Sequence, residues 1–219
     1  MKLRDVAVLI GMFLSPVIAQ DRMPPIPLDQ QTPAQQKAIA ALSAKRMHEA
    51  QRRGLAAKVE PLVSGPFVPL SRSPALMNSF VSVTEALETN SPLPQKLIEM
   101  TIIMTSRQLT SQYTWNSHYP LALKAGLKQE IADAIAVGRR PEGMSEDEET
   151  VYNFVAELLQ NRSVSDLTYS RIRTKFGEEG VIDTIGLAGY YSTLAMMLNV
   201  ARSPAKANST APKLLPFPR

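Results

Sequence analysis

The residues most able to do chemistry lie in one stretch near the middle of the chain, residues 97–127. This stretch places one acid, Glu99, inside an apolar run, and it also carries His118, one of only two histidines in the chain. Removal from water favours the protonated form of a carboxyl group, and a group in that state can transfer protons. We therefore expect Glu99 and His118 to form an acid–base pair within hydrogen-bond or one-water reach.

Hydroxyl-bearing residues between these two groups are candidates for substrate binding. Ser111, Thr114 and His118 are three and four positions apart, so their side chains share one face of a helix. Ser111 lies near the amino end of this helix, where free backbone amides favour an anion. We expect a substrate carboxylate at this end, with His118 offering a proton or a hydrogen bond one or two turns deeper.

Each of these residues also has a purely structural interpretation. Glu99 would equally well satisfy a backbone end or pair with Arg107, and a histidine on a helix often only caps or stacks. Trp115, the only tryptophan, is more typical of a core than of a pocket wall. The residue types alone leave both interpretations open.

The composition excludes several classes of protein chemistry. The chain has no cysteine, which excludes thiol redox chemistry, thiolate metal sites and cysteine nucleophiles. One histidine and one distant acid cannot supply three metal ligands, and the sequence has no glycine-rich phosphate loop and no Gly-x-Ser-x-Gly motif. We therefore expect no metal and no cofactor. Nucleic acid is not an expected partner, because the basic residues are scattered among acids and the formal charge is only +4.

The elements that must position these residues are helices. Apolar residues recur at intervals of three and four, and no segment alternates as a half-buried strand would. The pattern predicts an all-α bundle of about eight helices, beginning near residues 33, 74, 94, 111, 128, 145, 165 and 179. The third of these is apolar nearly all round, so we expect it at the centre of the bundle. The last carries Gly186 and Gly189, which would let another helix approach closely, so it could equally be an oligomer interface.

The chain divides into four segments. Residues 1–19 have a basic start, an apolar run and small residues up to Ala19, which predicts a cleaved signal peptide and export to the periplasm or the exterior. Residues 20–60 form a proline-rich arm and a covering helix, 61–204 form the main domain, and 205–219 are expected to be a disordered tail. The first apolar run is too short to span a membrane and no later segment looks apolar enough, so we expect no stable membrane anchor.

Around Glu99 and His118 the sequence resembles the carboxymuconolactone decarboxylase family, in the superfamily shared with alkyl hydroperoxidase D-like proteins. The peroxidase branch carries an acid, a Cys-x-x-Cys motif twelve residues on, and a histidine four residues after the second cysteine. Here the same spacing gives Glu99, Ser111, Thr114 and His118. Further matching segments are Gly65-Pro66-Phe67 with Ser73-Pro74, the run 118–127, and Gly189-Tyr190-Tyr191 with Leu198-Asn199.

The resemblance implies an alkyl hydroperoxidase D-like helical bundle that associates into trimers or hexamers. It also implies a cofactor-free lyase that decarboxylates a small carboxylated, lactone-like compound such as 4-carboxymuconolactone. Glu99 and His118 would be catalytic, and Ser111, Thr114, Trp115 and Tyr190 would bind the substrate. Thiol peroxidase activity is excluded because hydroxyls replace both thiols. The alternatives are a cofactor-free isomerase or hydratase that uses the same pair, and a non-catalytic binding or scaffold protein.

Overall fold

The computed structural model describes residues 21–52, 63–205 and 209–215. Over these ranges the chain forms eight α-helices, one short 3₁₀ helix at Leu28–Gln30 and no strand. The helices are α1 (Pro33–Arg52), α2 (Phe67–Leu70), α3 (Pro74–Thr89), α4 (Gln95–Gln108), α5 (Gln112–Lys124), α6 (Gln129–Ala136), α7 (Glu146–Asn161) and α8 (Asp166–Ala201). The prediction of an all-α bundle is therefore confirmed.

The structure has the predicted number of α-helices, but not all of them are the helices that were predicted. Residues Phe67–Leu70 form the short helix α2, which precedes the helix predicted from residue 74. The two helices expected from residues 165 and 179 are continuous as α8, apart from a break at Gly177. Its φ of 70° and ψ of −178° are not helical, and a positive φ of this kind is readily adopted only by glycine. The boundary expected at Gly177 is thus a kink within one long element.

The helix that carries Glu99 lies at the centre of the bundle, as predicted. Every residue of α4 from Leu97 to Arg107 is buried, and α4 packs against α5, α6, α7 and α8. Three hydroxyls on α4, from Thr101, Thr105 and Ser106, donate to backbone carbonyls four residues earlier, so their burial leaves no donor unsatisfied. A helix enclosed in this way holds the Glu99 side chain in a fixed place.

The core has two parts, and α4 contributes to both. On one side Met100 and Ile103 pack with apolar side chains of α5, α6 and α7. On the other side Ile98 and Ile102 pack with side chains of α1, α2, α3 and the second half of α8. The covering helix expected over residues 33–53 belongs to this second part, because its Ala38, Ile39 and Leu42 are buried there. The second part is also the side that forms the candidate site.

Ser145 and Glu148 form a capping box at the start of α7, the helix predicted from residue 145. The Glu148 side chain accepts from the backbone N–H of Ser145 at 2.7 Å and forms an ion pair with Lys96 of α4 at 2.7 Å. Burial opposes ionisation of Glu148, but the contacts with Lys96 and Ser145 outweigh it and hold the pKa of this carboxyl below its ordinary value. This residue therefore connects the central helix to α7.

The carboxyl-terminal residues differ from the disordered tail that we predicted over 205–219. Residues 209–215 lie against α5, where Leu214 is only 4% exposed and joins the first part of the core. Its backbone N–H donates to Gln112 Oε1 at 2.8 Å, and Ser209 Oγ donates to the carbonyl of Asn116 at 3.3 Å. Side-chain and backbone partners on α5 thus order this segment. Such contacts cannot be predicted from amino-acid composition.

The expectation that no segment beyond the leader is apolar enough to span a membrane was wrong for α8. This helix is long enough and contains an 18-residue window with a mean hydropathy of 1.3. Half of that window is buried within the bundle, as is usual for the core helix of a helical domain. The predicted signal peptide, residues 1–19, lies outside the described residues, as do residues 53–60 of the predicted arm and covering helix.

Candidate functional site

Glu99 and His118 lie side by side between the central helix and α5. Glu99 Oε2 and His118 Nδ1 are 2.9 Å apart, a normal hydrogen-bond distance. The Glu99 side chain is 7% exposed and that of His118 17% exposed, so the pair is largely removed from water. The structure therefore brings together the acid and the histidine that the sequence singled out.

The hydrogen bonds of Glu99 determine which nitrogen of His118 is available for chemistry. The other carboxylate oxygen, Oε1, accepts from Gln95 Nε2 at 3.1 Å, so both oxygens have partners. When Glu99 is ionised it can only accept, and Nδ1 of His118 then carries the proton of this hydrogen bond. The remaining ring nitrogen, Nε2, is the position at which His118 can exchange a proton with a ligand.

His118 lies on the wall of a cavity of about 240 Å³. The cavity is lined from α1, α3, α5, α8 and the chain around α2, by Arg46, Pro66, Phe67, Thr84, Glu88, Tyr113, Thr114, Ser117, His118, Tyr190, Tyr191, Leu194 and Leu198. Three larger cavities that the structure describes contain neither Glu99 nor His118. The chemistry available to His118 therefore belongs to this smaller cavity.

The predicted substrate-binding residues divide into two groups. Thr114 and Tyr190 line the cavity. Ser111 and Trp115 do not, and both are 0% exposed. The hydroxyl of Ser111 pairs with that of Thr114 at 3.1 Å, because the first turn of α5 directs Ser111 towards the interior. The expected place for a carboxylate at Ser111 is thus corrected, since only Thr114 of this pair faces the cavity.

Trp115 belongs to the core rather than to a binding surface. Its ring lies 5.4 Å from that of Tyr119, and it packs in the first part of the core, away from the cavity lining. Its indole nitrogen is buried and has no hydrogen-bond partner among the described residues. The structural interpretation that the sequence left open is therefore the correct one for Trp115.

Two neighbouring tyrosines of α8 complete the wall around His118. The Tyr191 ring meets the His118 ring edge-on at 5.1 Å and 82°, and the Tyr191 hydroxyl donates to the carboxylate of Glu88. Tyr190 shares a hydrogen bond of 2.5 Å with the hydroxyl of Thr84. Burial raises the pKa of Tyr191 well above its ordinary value, and the charge of Glu88 adds to this effect. Burial likewise raises the pKa of Tyr190 to about 12, so both phenols stay protonated at neutral pH.

Another part of the cavity wall is formed by Arg46, Phe67 and Tyr113. The Arg46 guanidinium lies over the Phe67 ring, with Cζ 5.1 Å from the ring centroid, and its Nη1 donates to Ser64 Oγ at 3.2 Å. Burial raises the pKa of Tyr113, while the positive charge of Arg46 and a hydrogen bond with the Gly65 backbone act in the opposite direction. This wall therefore combines aromatic surface with one cation.

Sequence reasoning missed Arg46 and Glu88 and named Tyr191 only as part of a matching segment. Arg46 lies on the predicted covering helix, where nothing in the sequence marks it as facing a cavity. Glu88 and Tyr191 are far apart in sequence, so no local spacing could have paired them. Within the described residues, no group of three or more histidine, aspartate and glutamate side chains is arranged to hold a metal ion.

His118 and Glu88 are the groups of the cavity wall that can exchange protons near neutral pH. A carboxylate bonded to Nδ1, as Glu99 is here, orients an imidazole and favours its protonated form. The two tyrosine hydroxyls remain neutral, so they can orient a ligand but are not bases at neutral pH. Such a site suits general acid–base catalysis on a small molecule.

Comparisons with known proteins bear on the family and the fold of the chain. Residues 74–156 match the model of the carboxymuconolactone decarboxylase family, a segment that contains Glu99, Ser111, Thr114 and His118. No match was found among curated proteins. The chain is similar in structure to an uncharacterized peroxidase-related protein from Ralstonia eutropha JMP134, described as an alkylhydroperoxidase AhpD core. The TM-score is 0.61 at 19% identity, over 77% of this chain and 89% of that one.

These comparisons confirm the predicted resemblance and the predicted fold. The family match covers α3 to α6 and the first part of α7. The structural similarity at 19% identity extends the alkyl hydroperoxidase D-like fold over most of the chain and carries no information on activity.

Proposed function

We propose, from the likeness of residues 74–156 to the carboxymuconolactone decarboxylase family, that this chain is a cofactor-free carboxy-lyase. Its substrate would be a small carboxylated, lactone-like compound. The observation that carries the proposal is the 2.9 Å contact between Glu99 and His118 on the wall of a cavity of about 240 Å³. This contact orients the imidazole of His118 on the wall of a cavity that a small ring compound would fit.

The proposed reaction requires a place for electrons and a proton. In an α,β-unsaturated lactone with a carboxylate on the γ carbon, the bond to that carboxylate breaks and carbon dioxide leaves. The electron pair passes through the double bond to the carbonyl oxygen, where the Nε2–H of His118 stabilises the growing negative charge. The same group then protonates the α carbon, and solvent restores the proton on His118. The balance is one proton consumed and one carbon dioxide released.

Glu99 would act through His118 rather than on the substrate. It is not among the residues that line the cavity, and its two oxygens accept from His118 and Gln95. Its negative charge would stabilise the imidazolium before and during proton transfer. Thr114 and the neutral hydroxyl of Tyr190 would orient the lactone.

The test is product analysis with 4-carboxymuconolactone and the purified chain. We expect carbon dioxide release by the wild type, a loss of at least about 100-fold in His118→Asn, and normal activity in Glu149→Gln. Glu149 is a suitable control because it is an exposed carboxylate on α7, outside the cavity. Full activity in His118→Asn would contradict the proposed site, and an inactive wild type would contradict the lyase function for this substrate.

A cofactor-free isomerase is the second candidate, and the single available nitrogen of His118 favours it. One imidazole that removes a proton from one carbon and returns it to another would shift a double bond without loss of carbon dioxide. Nuclear magnetic resonance of the product distinguishes the two reactions. A shifted double bond in a product that keeps both carboxylates would favour the isomerase.

Self-association is also part of the proposal, and an exposed apolar face of α8 supports it. Ile182, Ile185, Met196 and Val200 are between 41% and 65% exposed and follow one side of this helix. Nothing lies within 4 Å of a Cβ built on Gly189, which lies along the same face and would allow close helix packing. Light scattering should find the wild type larger than a monomer and Ile182→Glu smaller than the wild type. A monomeric wild type would contradict this.

The sequence of residues 1–19 supports export as a further proposal. Cleavage after Ala19 would make Gln20 the first residue of the mature protein. Mass spectrometry of the protein from its native host tests this, and a mature chain that retains Lys2 and Arg4 would contradict it.

A further inference from the structure

We propose that Arg46 holds a second carboxylate of the substrate, one that is not lost in the reaction. This inference rests on the proposed function, since it concerns the same cavity and one of the two carboxylates of 4-carboxymuconolactone. It assigns a specificity role to a helix that lies outside the family-matched segment 74–156.

The position of Arg46 is the first argument. The residue projects from α1 and lines the cavity, and its guanidinium contacts the Phe67 ring and the hydroxyl of Ser64. A planar guanidinium held against an aromatic ring presents its N–H donors in a fixed plane, which suits a carboxylate. Its charge also acts on the wall, where it opposes the rise in the pKa of Tyr113 that burial causes.

The other polar groups of the cavity are poorly suited to an anion. Glu88 is itself an acid and accepts from the Tyr191 hydroxyl. The hydroxyls of Thr84 and Tyr190 pair with each other at 2.5 Å, and that of Thr114 pairs with Ser111 at 3.1 Å. Among the residues described as lining the cavity, Arg46 is the only permanent cation. An anionic group of the ligand is therefore expected at the Arg46 side.

The chemistry of decarboxylation decides which carboxylate Arg46 binds. An arginine bonded to the leaving carboxylate would stabilise the ground state, because that charge moves into the ring in the transition state. Such a contact would slow the reaction. An arginine bonded to a second carboxylate binds ground state and transition state alike, and so contributes affinity and orientation. The leaving carboxylate would then lie away from Arg46, with the lactone carbonyl at His118.

The test uses a ligand that cannot react, so that it does not depend on turnover. The probe is the saturated lactone (5-oxotetrahydrofuran-2-yl)acetate, and its neutral acetamide serves as the matched ligand. Binding of both is measured by calorimetry to the wild type, Arg46→Gln, Arg46→Lys and Lys45→Gln. Lys45 is the matched control because it is the neighbouring cation on α1, pairs with Glu85, and does not line the cavity.

We expect Arg46→Gln to weaken binding of the carboxylate probe about tenfold or more, with a smaller loss in Arg46→Lys. Binding of the acetamide should change little in either variant, and Lys45→Gln should match the wild type for both ligands. Equal weakening of both ligands would overturn the proposal, since Arg46 would then only support Phe67. No binding of the carboxylate by the wild type, or no loss in Arg46→Gln, would overturn it as well.

The result can be separated from that for the proposed function. Suppose that Arg46→Gln selectively loses binding of the carboxylate probe and that the wild type releases no carbon dioxide. That result would support the anion site and reject the lyase function. If the wild type is a lyase, Arg46→Gln should raise KM far more than it lowers kcat. An unchanged KM in that variant would reject the role of Arg46 and leave the lyase intact.

Discussion

Replacing Glu99 with glutamine keeps the shape of the side chain and removes the charge beside His118. In the wild type, the carboxylate accepts from both His118 Nδ1, at 2.9 Å, and Gln95 Nε2, at 3.1 Å. An amide has one oxygen and one NH₂ group, so it cannot accept at both positions. If its oxygen keeps the bond with Gln95, its NH₂ group faces Nδ1, which must then lose its proton. The neutral His118 would carry its proton on Nε2.

The size of the effect of Glu99→Gln follows from the kind of hydrogen bond that is lost. A hydrogen bond to a charged group is worth about 1.5–3 kcal/mol and a neutral one about 0.5–1.5 kcal/mol, so the substitution should cost about 1–2 kcal/mol of imidazolium stabilisation and of folding free energy. For a domain of this size that corresponds to a fall in Tm of about 2–8 °C. Because the imidazolium is the form that delivers a proton from Nε2, the same loss should lower kcat about 5- to 30-fold.

The assay combines kinetics with ¹⁵N nuclear magnetic resonance of the histidines. Only two histidines are present, so a His48→Gln background leaves a single imidazole to observe. We expect the neutral ring of His118 to carry its proton on Nδ1 in the wild type and on Nε2 in Glu99→Gln. A wild-type tautomer with the proton on Nε2, or an unchanged kcat in Glu99→Gln, would refute the role assigned to this pair.

Two further predictions concern the scaffold. The pKa of Glu148 is held below its ordinary value of 4.5, so its contribution to stability is present above that pH and is lost as the pH falls through the lowered pKa. In Glu148→Gln, the melting temperature should therefore fall less steeply at acidic pH than in the wild type. The same acid dependence of the melting temperature in both proteins would contradict this. Gly180→Ala should destabilise the chain by about 1–3 kcal/mol, because its Cβ would lie 2.4 Å from that of Phe176. The Cβ in Gly189→Ala would meet nothing within 4 Å, so this substitution should be neutral or stabilising in a monomer. Equal melting temperatures for the two glycine variants would contradict this packing.

The part of the site that the sequence predicted is the part that local spacing determines. Glu99 and His118 lie on consecutive helices joined by a short turn, so helical periodicity and a tight connection suffice to bring them together. Burial of α4 could also be predicted, because apolar residues lie nearly all round this helix. The hydroxyl of Ser111 was misplaced, since spacing alone does not show which side of the first turn faces the core.

The remaining part depends on contacts between distant segments. Glu88 and Tyr191 meet across α3 and α8, and Arg46 reaches the cavity from α1. Such contacts follow from the packing of whole helices, which no single stretch of sequence encodes. The ordering of residues 209–215 has the same origin, because Leu214 finds its partner on α5.

The most direct test of the central claim is to measure carbon dioxide release and deuterium incorporation when 4-carboxymuconolactone reacts in deuterated water. The account predicts one carbon dioxide released and one solvent deuteron incorporated at the α carbon per turnover, with both lost together in His118→Asn. Carbon dioxide release that continues in His118→Asn with the same deuteron incorporation would contradict it.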